Sequence, residues 1–178
     1  MGRMAMKRFL VSLLGVAAWC ATGANVDLAD EELSSSVKWI CPDEAFPDGI
    51  GKQRFYRHAF ETREGLVRAT ARWWIDDWGF VHLDGKKVPA SAKMVETPVD
   101  LTAALVKPGR HVLALEGKNL AGTGGVCLSI AIEYADGKKE AIFTSESWLC
   151  ATNAPDGWTS SAFDDSAWQH ARRHGDVY

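Results

Sequence analysis

The sequence is short of several things, and each shortage removes a class of protein. Its apolar run Phe9 to Ala18 is about ten residues long, too short to span a bilayer, which takes about 20. There is no surplus of positive charge. Twenty lysines and arginines face 23 aspartates and glutamates, a net −3, so no basic patch is available to a nucleic-acid polyanion. The four cysteines have spacings unlike any zinc motif. No segment recurs with a period of about 20 to 50 residues, which excludes propellers and solenoids. Nucleophilic catalysis lacks its parts as well: His58, His82 and His111 fall inside expected strands, His170 and His174 near the end, and no nucleophile motif accompanies them. The acidic pairs are neighbours in turns, whereas a glycosidase needs two carboxylates facing each other at about 5 to 10 Å. The chain is therefore expected not to be an enzyme.

What is present begins with a targeting signal. Arg3, Lys7 and Arg8 precede the apolar run, and Thr22-Gly23-Ala24 offers small residues for cleavage, so residues 1–24 are expected to be a signal peptide cut after Ala24. Met6 would serve as a start as well as Met1. Bulky Trp19 argues against lipidation at Cys20. The expected location is secreted, periplasmic or cell-surface. Removing the signal takes three cations and no acids, leaving 17 against 23, a net −6. Cys41, Cys127 and Cys150 remain. An exported compartment permits a disulfide, and Cys41 with Cys150 is the favoured pair if any forms, because chain ends often meet in a sandwich. The alternative is three buried thiols acting as small hydrophobes.

Residues 25–36 are polar, acidic and aperiodic, which predicts a linker. From Val37 the pattern is that of strands. Val37 to Ile40 is a short one, and Arg54 to Glu61 is another with Tyr56, His58 and Phe60 on one face. In Val67 to Ile75, the residues Val67, Ala69, Ala71, Trp73 and Ile75 alternate with Arg68, Thr70, Arg72 and Trp74. Asp76-Asp77-Trp78-Gly79 reads as a turn, Phe80 to Leu83 as a strand, and Asp84-Gly85 as a two-residue hairpin. Residues 89–98 read as a loop, and Asp100 as the N-cap of a short helical turn ending at Leu105. His111 to Glu116 is almost wholly apolar, hence central, and Val126 to Tyr134 turns at Asp136-Gly137 into Glu140 to Thr144. Many short strands and almost no helix predict an all-β sandwich over residues 37–174, with 175–178 as a tail.

The order of these segments is similar to a known group. "RFYRHAFE", "ATARWWIDD", "GFVHLDGKKV", "VDLTAALVKPGRHVLALEGKN", "GGVCLSIAIEYADG" and the ending "IFTSESWLC…GWTSSAFDDSAWQHA" together resemble the galactose-binding-domain-like jelly rolls. They resemble in particular the non-catalytic N-terminal sandwich domains of bacterial glycoside hydrolases of the α-L-rhamnosidase and β-galactosidase type. Asp84 stands where these domains usually carry Asn, and either residue suits the turn. The resemblance implies a jelly-roll β-sandwich with one short helical turn. With no catalytic domain expected to follow Tyr178, it also implies a carbohydrate-recognising or accessory module that partners a catalytic domain in cis or in trans. The alternative is a purely structural domain from a larger multidomain hydrolase, with no ligand of its own.

Ligand chemistry concentrates in one stretch. Asp76 and Asp77 are oxygen donors suited to Ca²⁺, and the Trp78 indole offers a face for a pyranose ring. Arg72 and Trp74 share the strand face that would lie beside them. Arg72, Trp74, Asp76, Asp77 and Trp78 are the candidate ligand-binding residues, with Asp76 and Asp77 the candidate metal ligands. Against this stands the plainer reading that the acids solvate a turn and the indoles pack. Trp39, Trp73, Trp148, Trp158 and the Asp164 to Trp168 turn are assigned to packing.

Overall fold

The computed structural model describes residues 37–44, 48–89 and 94–174, all within the unit Val37–Tyr178. The expected signal peptide, linker and tail lie outside the described residues. The strands are β1 (Ile40–Cys41), β2 (Gln53–Thr62), β3 (Leu66–Asp76), β4 (Trp78–Leu83), β5 (Lys86–Lys87) and β6 (Met94–Asp100). The helical turn α1 (Thr102–Leu105) follows, then β7 (Gly109–Lys118), β8 (Gly125–Tyr134), β9 (Lys139–Phe143), β10 (Leu149–Ala151), β11 (Gln169–His170) and β12 (Arg172–Arg173). They form two antiparallel sheets. The first runs β12-β1-β8-β3-β6 with β9 also paired to β8, and the second runs β11-β10-β2-β7-β4-β5. The protein is an all-β sandwich. Among the described residues no helix is long and apolar enough to cross a membrane.

Period-two alternation decides which side chains fill the space between the sheets. From β3 come Ala69, Ala71, Trp73 and Ile75, and from β8 Leu128, Ile130 and Ile132, all buried. They meet Tyr56 and Phe60 of β2, Val81 and Leu83 of β4, and Leu113 and Leu115 of β7. Trp148 is fully buried, stacks on His58 with centroids 5.0 Å apart, and donates its indole N–H to the Phe143 carbonyl. The central position expected for His111 to Glu116 holds, since β7 lies between β2 and β4.

The outer face of the second sheet carries a cover made by the chain after Trp148. Arg57 points out from β2 yet is fully buried. Its Nε donates to Asp165 Oδ2 at 2.8 Å, and Nη1 donates to the Trp158 and Ser160 carbonyls. Phe163 lies over the guanidinium at 5.1 Å, and Trp158 packs on Phe55 at 5.1 Å and on Trp168 at 6.1 Å. Asp164 Oδ1 accepts the Ser166 N–H and so closes the turn. The packing roles expected for Trp158 and for Asp164 to Trp168 are therefore observed.

Five details depart from the sequence reading. Val67 faces solvent and Leu66 is buried in its stead, because the β3–β8 register shifts between Leu66 and Arg68. Part of the expected loop 89–98 is strand β6, and Pro98 is accommodated because β6 lies at the sheet edge. Trp78 and Gly79 belong to β4, so the 76–79 turn shrinks to Asp77 alone. Asp100 does not occupy the N-cap of α1, which Leu101 takes; its Oδ1 accepts the Thr102 N–H instead. The Cys41–Cys150 disulfide, favoured only if any pair forms, is absent from this structure, which carries the alternative of buried thiols. Cys41, Cys127 and Cys150 are buried thiols. Cys150 packs in the core between the sheets as a small hydrophobe. Burial, then the nearness of Cys41, pushes the Cys150 thiol up to about 12.

Candidate functional site

The crossing from β3 to β4 is the sharpest event in the chain: one residue, Asp77, links a strand of the first sheet to a strand of the second. Glycine makes the crossing possible. Gly79 pairs with Gly117 across the ladder, and Ile75 Cγ2 sits against both. A Cβ on Gly79 would fall 1.9 Å from the Glu116 carbonyl oxygen. The Asp76–Asp77 peptide is cis. Asp77 donates its N–H to the Lys118 carbonyl at 3.0 Å, and its Oδ2 accepts the Leu120 N–H at 2.9 Å. The loop after β7 is thereby tied to the crossing. Asn119 holds that loop internally, with Nδ2 donating to the Gly122 carbonyl at 2.8 Å.

This crossing separates the five expected ligand residues. Arg72, Trp74 and Asp76 alternate with buried Ala71, Trp73 and Ile75, so they lie on the outer face of the first sheet. Trp78 lies on the outer face of the second, opposite Lys118. Asp77 stands between the faces at the end of the sandwich. The five form two neighbourhoods joined through Asp77.

On the second face Trp78 is 44% exposed. Its ring meets Phe80 edge-on at 4.7 Å, and Lys87 Nζ sits 3.0 Å from the Phe80 centroid. Glu116 is flanked across its two ladders by Phe55 and Phe80 and accepts a hydrogen bond from Gln53 Nε2 at 3.3 Å. Burial raises the Glu116 carboxyl above its ordinary range, with Lys87 opposing. An exposed indole beside a carboxylate and an amide offers a flat apolar surface next to hydroxyl-binding groups. Glu116, Gln53 and Phe80 were not singled out in the sequence; their cue was the polar Glu116 at the end of the apolar His111 to Leu115 run.

On the first face Trp74 meets Trp39 in a T-shaped contact at 5.8 Å. Arg72 stands opposite Ser129 of β8, half-buried, and its Nε is buried without a hydrogen-bond partner. His174 lies near Asp76; burial lowers its pKa and Asp76 opposes that.

Among the described residues no three His, Cys, Asp or Glu side chains converge as metal ligands. Asp77 already holds the Leu120 N–H. Calcium takes six to eight oxygens, so an ion at Asp76 and Asp77 would draw most of them from carbonyls, amides and water. A relay-like arrangement exists elsewhere: His111 Nδ1 lies 2.6 Å from Asp84 Oδ2, and Nε2 3.1 Å from Thr62 Oγ1. His111 and Thr62 are buried, and Asp84 Oδ1 accepts the Val112 N–H. The cluster fastens the Asp84-Gly85 turn, with φ of 49° and 80°, to β7.

The fold defines the chain as an all-β sandwich of two antiparallel sheets. No protein-family model matches the chain. It is 26% identical over 164 residues to an α-L-rhamnosidase of Streptomyces avermitilis, covering 88% of this chain and 16% of the enzyme. The solved structure of a Streptomyces avermitilis α-L-rhamnosidase complexed with L-rhamnose superposes with a TM-score of 0.67 and 26% identity, over 77% of this chain and 14% of the other. A Pleurotus ostreatus lectin gives a TM-score of 0.66 and 27% identity over 79% of this chain and 43% of its own, and it is also known in complex with GalNAc. The chain thus resembles a glycoside-hydrolase-associated sandwich domain, and spans about a sixth of the rhamnosidase it matches.

Proposed function

We propose that the protein is an exported, non-catalytic carbohydrate-binding module that serves a glycoside hydrolase catalytic domain in its own chain or in a partner. The observation that carries this reading is Trp78, an indole 44% exposed beside Asp77 at the sandwich end. The ring lies edge-on to Phe80, next to the Glu116 carboxylate and the Gln53 amide on the same sheet face, and pyranose recognition fits such a pairing of a flat apolar surface with hydroxyl-binding groups. The similarity to a lectin solved with GalNAc and to a rhamnosidase solved with L-rhamnose supports a sugar as the ligand class. The basic and apolar start of the sequence supports export.

The test is affinity electrophoresis and calorimetry of the full chain against a panel of neutral and acidic glycans. At least one glycan binds, and Trp78→Ala weakens it by about tenfold or more, about 1.4 kcal/mol. Failure to bind any glycan would overturn the reading in favour of a purely structural domain. Repeating the measurement with calcium and with EDTA decides the metal. Calcium-dependent binding that is lost in Asp77→Asn supports Asp76 and Asp77 as ligands, and EDTA-insensitive binding removes the ion from the proposal.

A further inference from the structure

Most arginines of this domain are matched to acceptors. Arg54 pairs with Glu44, Arg57 with Asp165, Arg63 with Asp136, Arg68 with Glu133 and Arg172 with Asp43. Arg72 is different. It stands mid-strand on β3 with its Nε withdrawn from solvent and no hydrogen-bond partner, and none of the ion pairs among the described residues includes it. A guanidinium deprived of water on one side and given no acceptor is an unfavourable arrangement. Its Nη atoms are not closed off in this way, and it is there that an acceptor arriving from outside would meet the guanidinium.

The neighbours of Arg72 say what kind of acceptor. Ser129 lies directly across the β3–β8 ladder, a half-buried hydroxyl. Trp74 is two residues along the same face, about 7 Å away at the rise of a strand, and Trp39 holds its ring edge to face at 5.8 Å. A planar fork of donors matches a carboxylate in two parallel hydrogen bonds, which a neutral hydroxyl does not reproduce. The chain as a whole carries a net −3, so an attraction to an acidic polymer would have to be local rather than a general effect of charge.

We infer that the outer face of the first sheet, through Arg72, Trp74 and Ser129, binds a carboxylated sugar such as a hexuronate residue of a glycan. This inference rests on the carbohydrate reading and adds to it a second face with an acidic preference. The same protein therefore engages glycan on both sides of the Asp77 crossing.

The experiment compares one ligand with and without its charge. The full chain is titrated with trigalacturonate and with its methyl ester, in which the ring is the same and the carboxylate is masked. The acid binds about tenfold more tightly than the ester, the scale of a charge-assisted bidentate contact, and the preference weakens as salt is raised. Arg72→Gln brings the ratio close to one, while Arg72→Lys keeps part of it. Equal binding of acid and ester by the unaltered protein overturns the inference, as does a preference that survives Arg72→Gln. The comparison on the unaltered protein stands even if a variant folds poorly. Binding of sulfated but not carboxylated sugars also overturns it, since the fork would then be reading another anion. If the acid and its ester bind equally but Trp78-dependent binding persists, only this inference falls. If no glycan binds at all, the carbohydrate reading falls with it.

Discussion

Arg57 on β2 and Asp165, 108 residues later, form an ion pair at 2.8 Å on the outside of the second sheet, beneath a cover of Trp158, Phe163 and Trp168. The arginine side chain is wholly buried and the carboxylate 23% exposed. Removing Asp165 leaves a buried guanidinium held only by the Trp158 and Ser160 carbonyls, so Asp165→Ala should cost about 3 kcal/mol in urea denaturation, the low end for a buried pair because those bonds persist and Asp165 retains some water. Arg57→Met combined with Asp165→Leu should recover much of that loss. A double variant no more stable than Asp165→Ala would show that the pair does not hold the cover down.

Gly79→Ala should be among the most damaging single substitutions in the domain. The added methyl would meet the Glu116 carbonyl at 1.9 Å and Ile75 at 2.7 Å, and neither can withdraw without opening the β4–β7 ladder. Soluble expression and the thermal midpoint check this. A variant within a few degrees of the parent would mean that the crossing can relax.

Acid should weaken the fold before the carboxylates titrate. Burial lowers the pKa of His58, stacked on Trp148, from its ordinary 6.5, and burial lowers those of His82 and His174 likewise. The unfolded chain then takes up protons that the folded one refuses. Stability is full above about pH 6.5 and declines as pH falls from there toward the lowered folded values. Glu116, raised by burial, acts oppositely, but only near the carboxylate range. Denaturation between pH 7.5 and about 5.5 should show the decline, and His58→Phe should flatten it. An unchanged slope in that variant would assign the effect to the other two histidines.

The thiols should resist reagents in the native state. Cys41, Cys127 and Cys150 are buried out of reach of reagents, and burial pushes the Cys150 thiol up to about 12, so its thiolate is scarce at neutral pH. Alkylation followed by mass spectrometry should find these three unmodified in buffer and modified in denaturant without reductant. Protection that persists in denaturant until reductant is added would reveal a disulfide.

How much of this was legible in the sequence depends on whether a feature was local. The β3 alternation, the Asp84-Gly85 turn and the apolar run of β7 are encoded by neighbours, and the structure reproduces them. Trp73 could be assigned to the core from period two alone. Features set by distant partners could not be read in this way. Val67 looks like a core residue until the register shift against β8 turns it outward. Arg57 looks like a solvated cation until a segment a hundred residues away folds over it. For the candidate site, the stretch was found and its geometry was not. Arg72 through Trp78 appears continuous in sequence, but a strand that changes sheets at Asp77 sends its two ends to opposite faces of the molecule.

One short segment has a practical consequence. Gln169 and His170 add to the margin of the second sheet beside β10, and two residues later Arg172 and Arg173 add to the margin of the first beside β1. Five residues therefore cap two open borders on the same flank of the sandwich. Trimming the chain at Trp168 would uncover hydrogen-bonding edges on both sheets at once, and exposed edges recruit other chains. A shortened version intended for display, fusion or crystallisation should therefore keep everything through His174, with any appended sequence joined beyond that point.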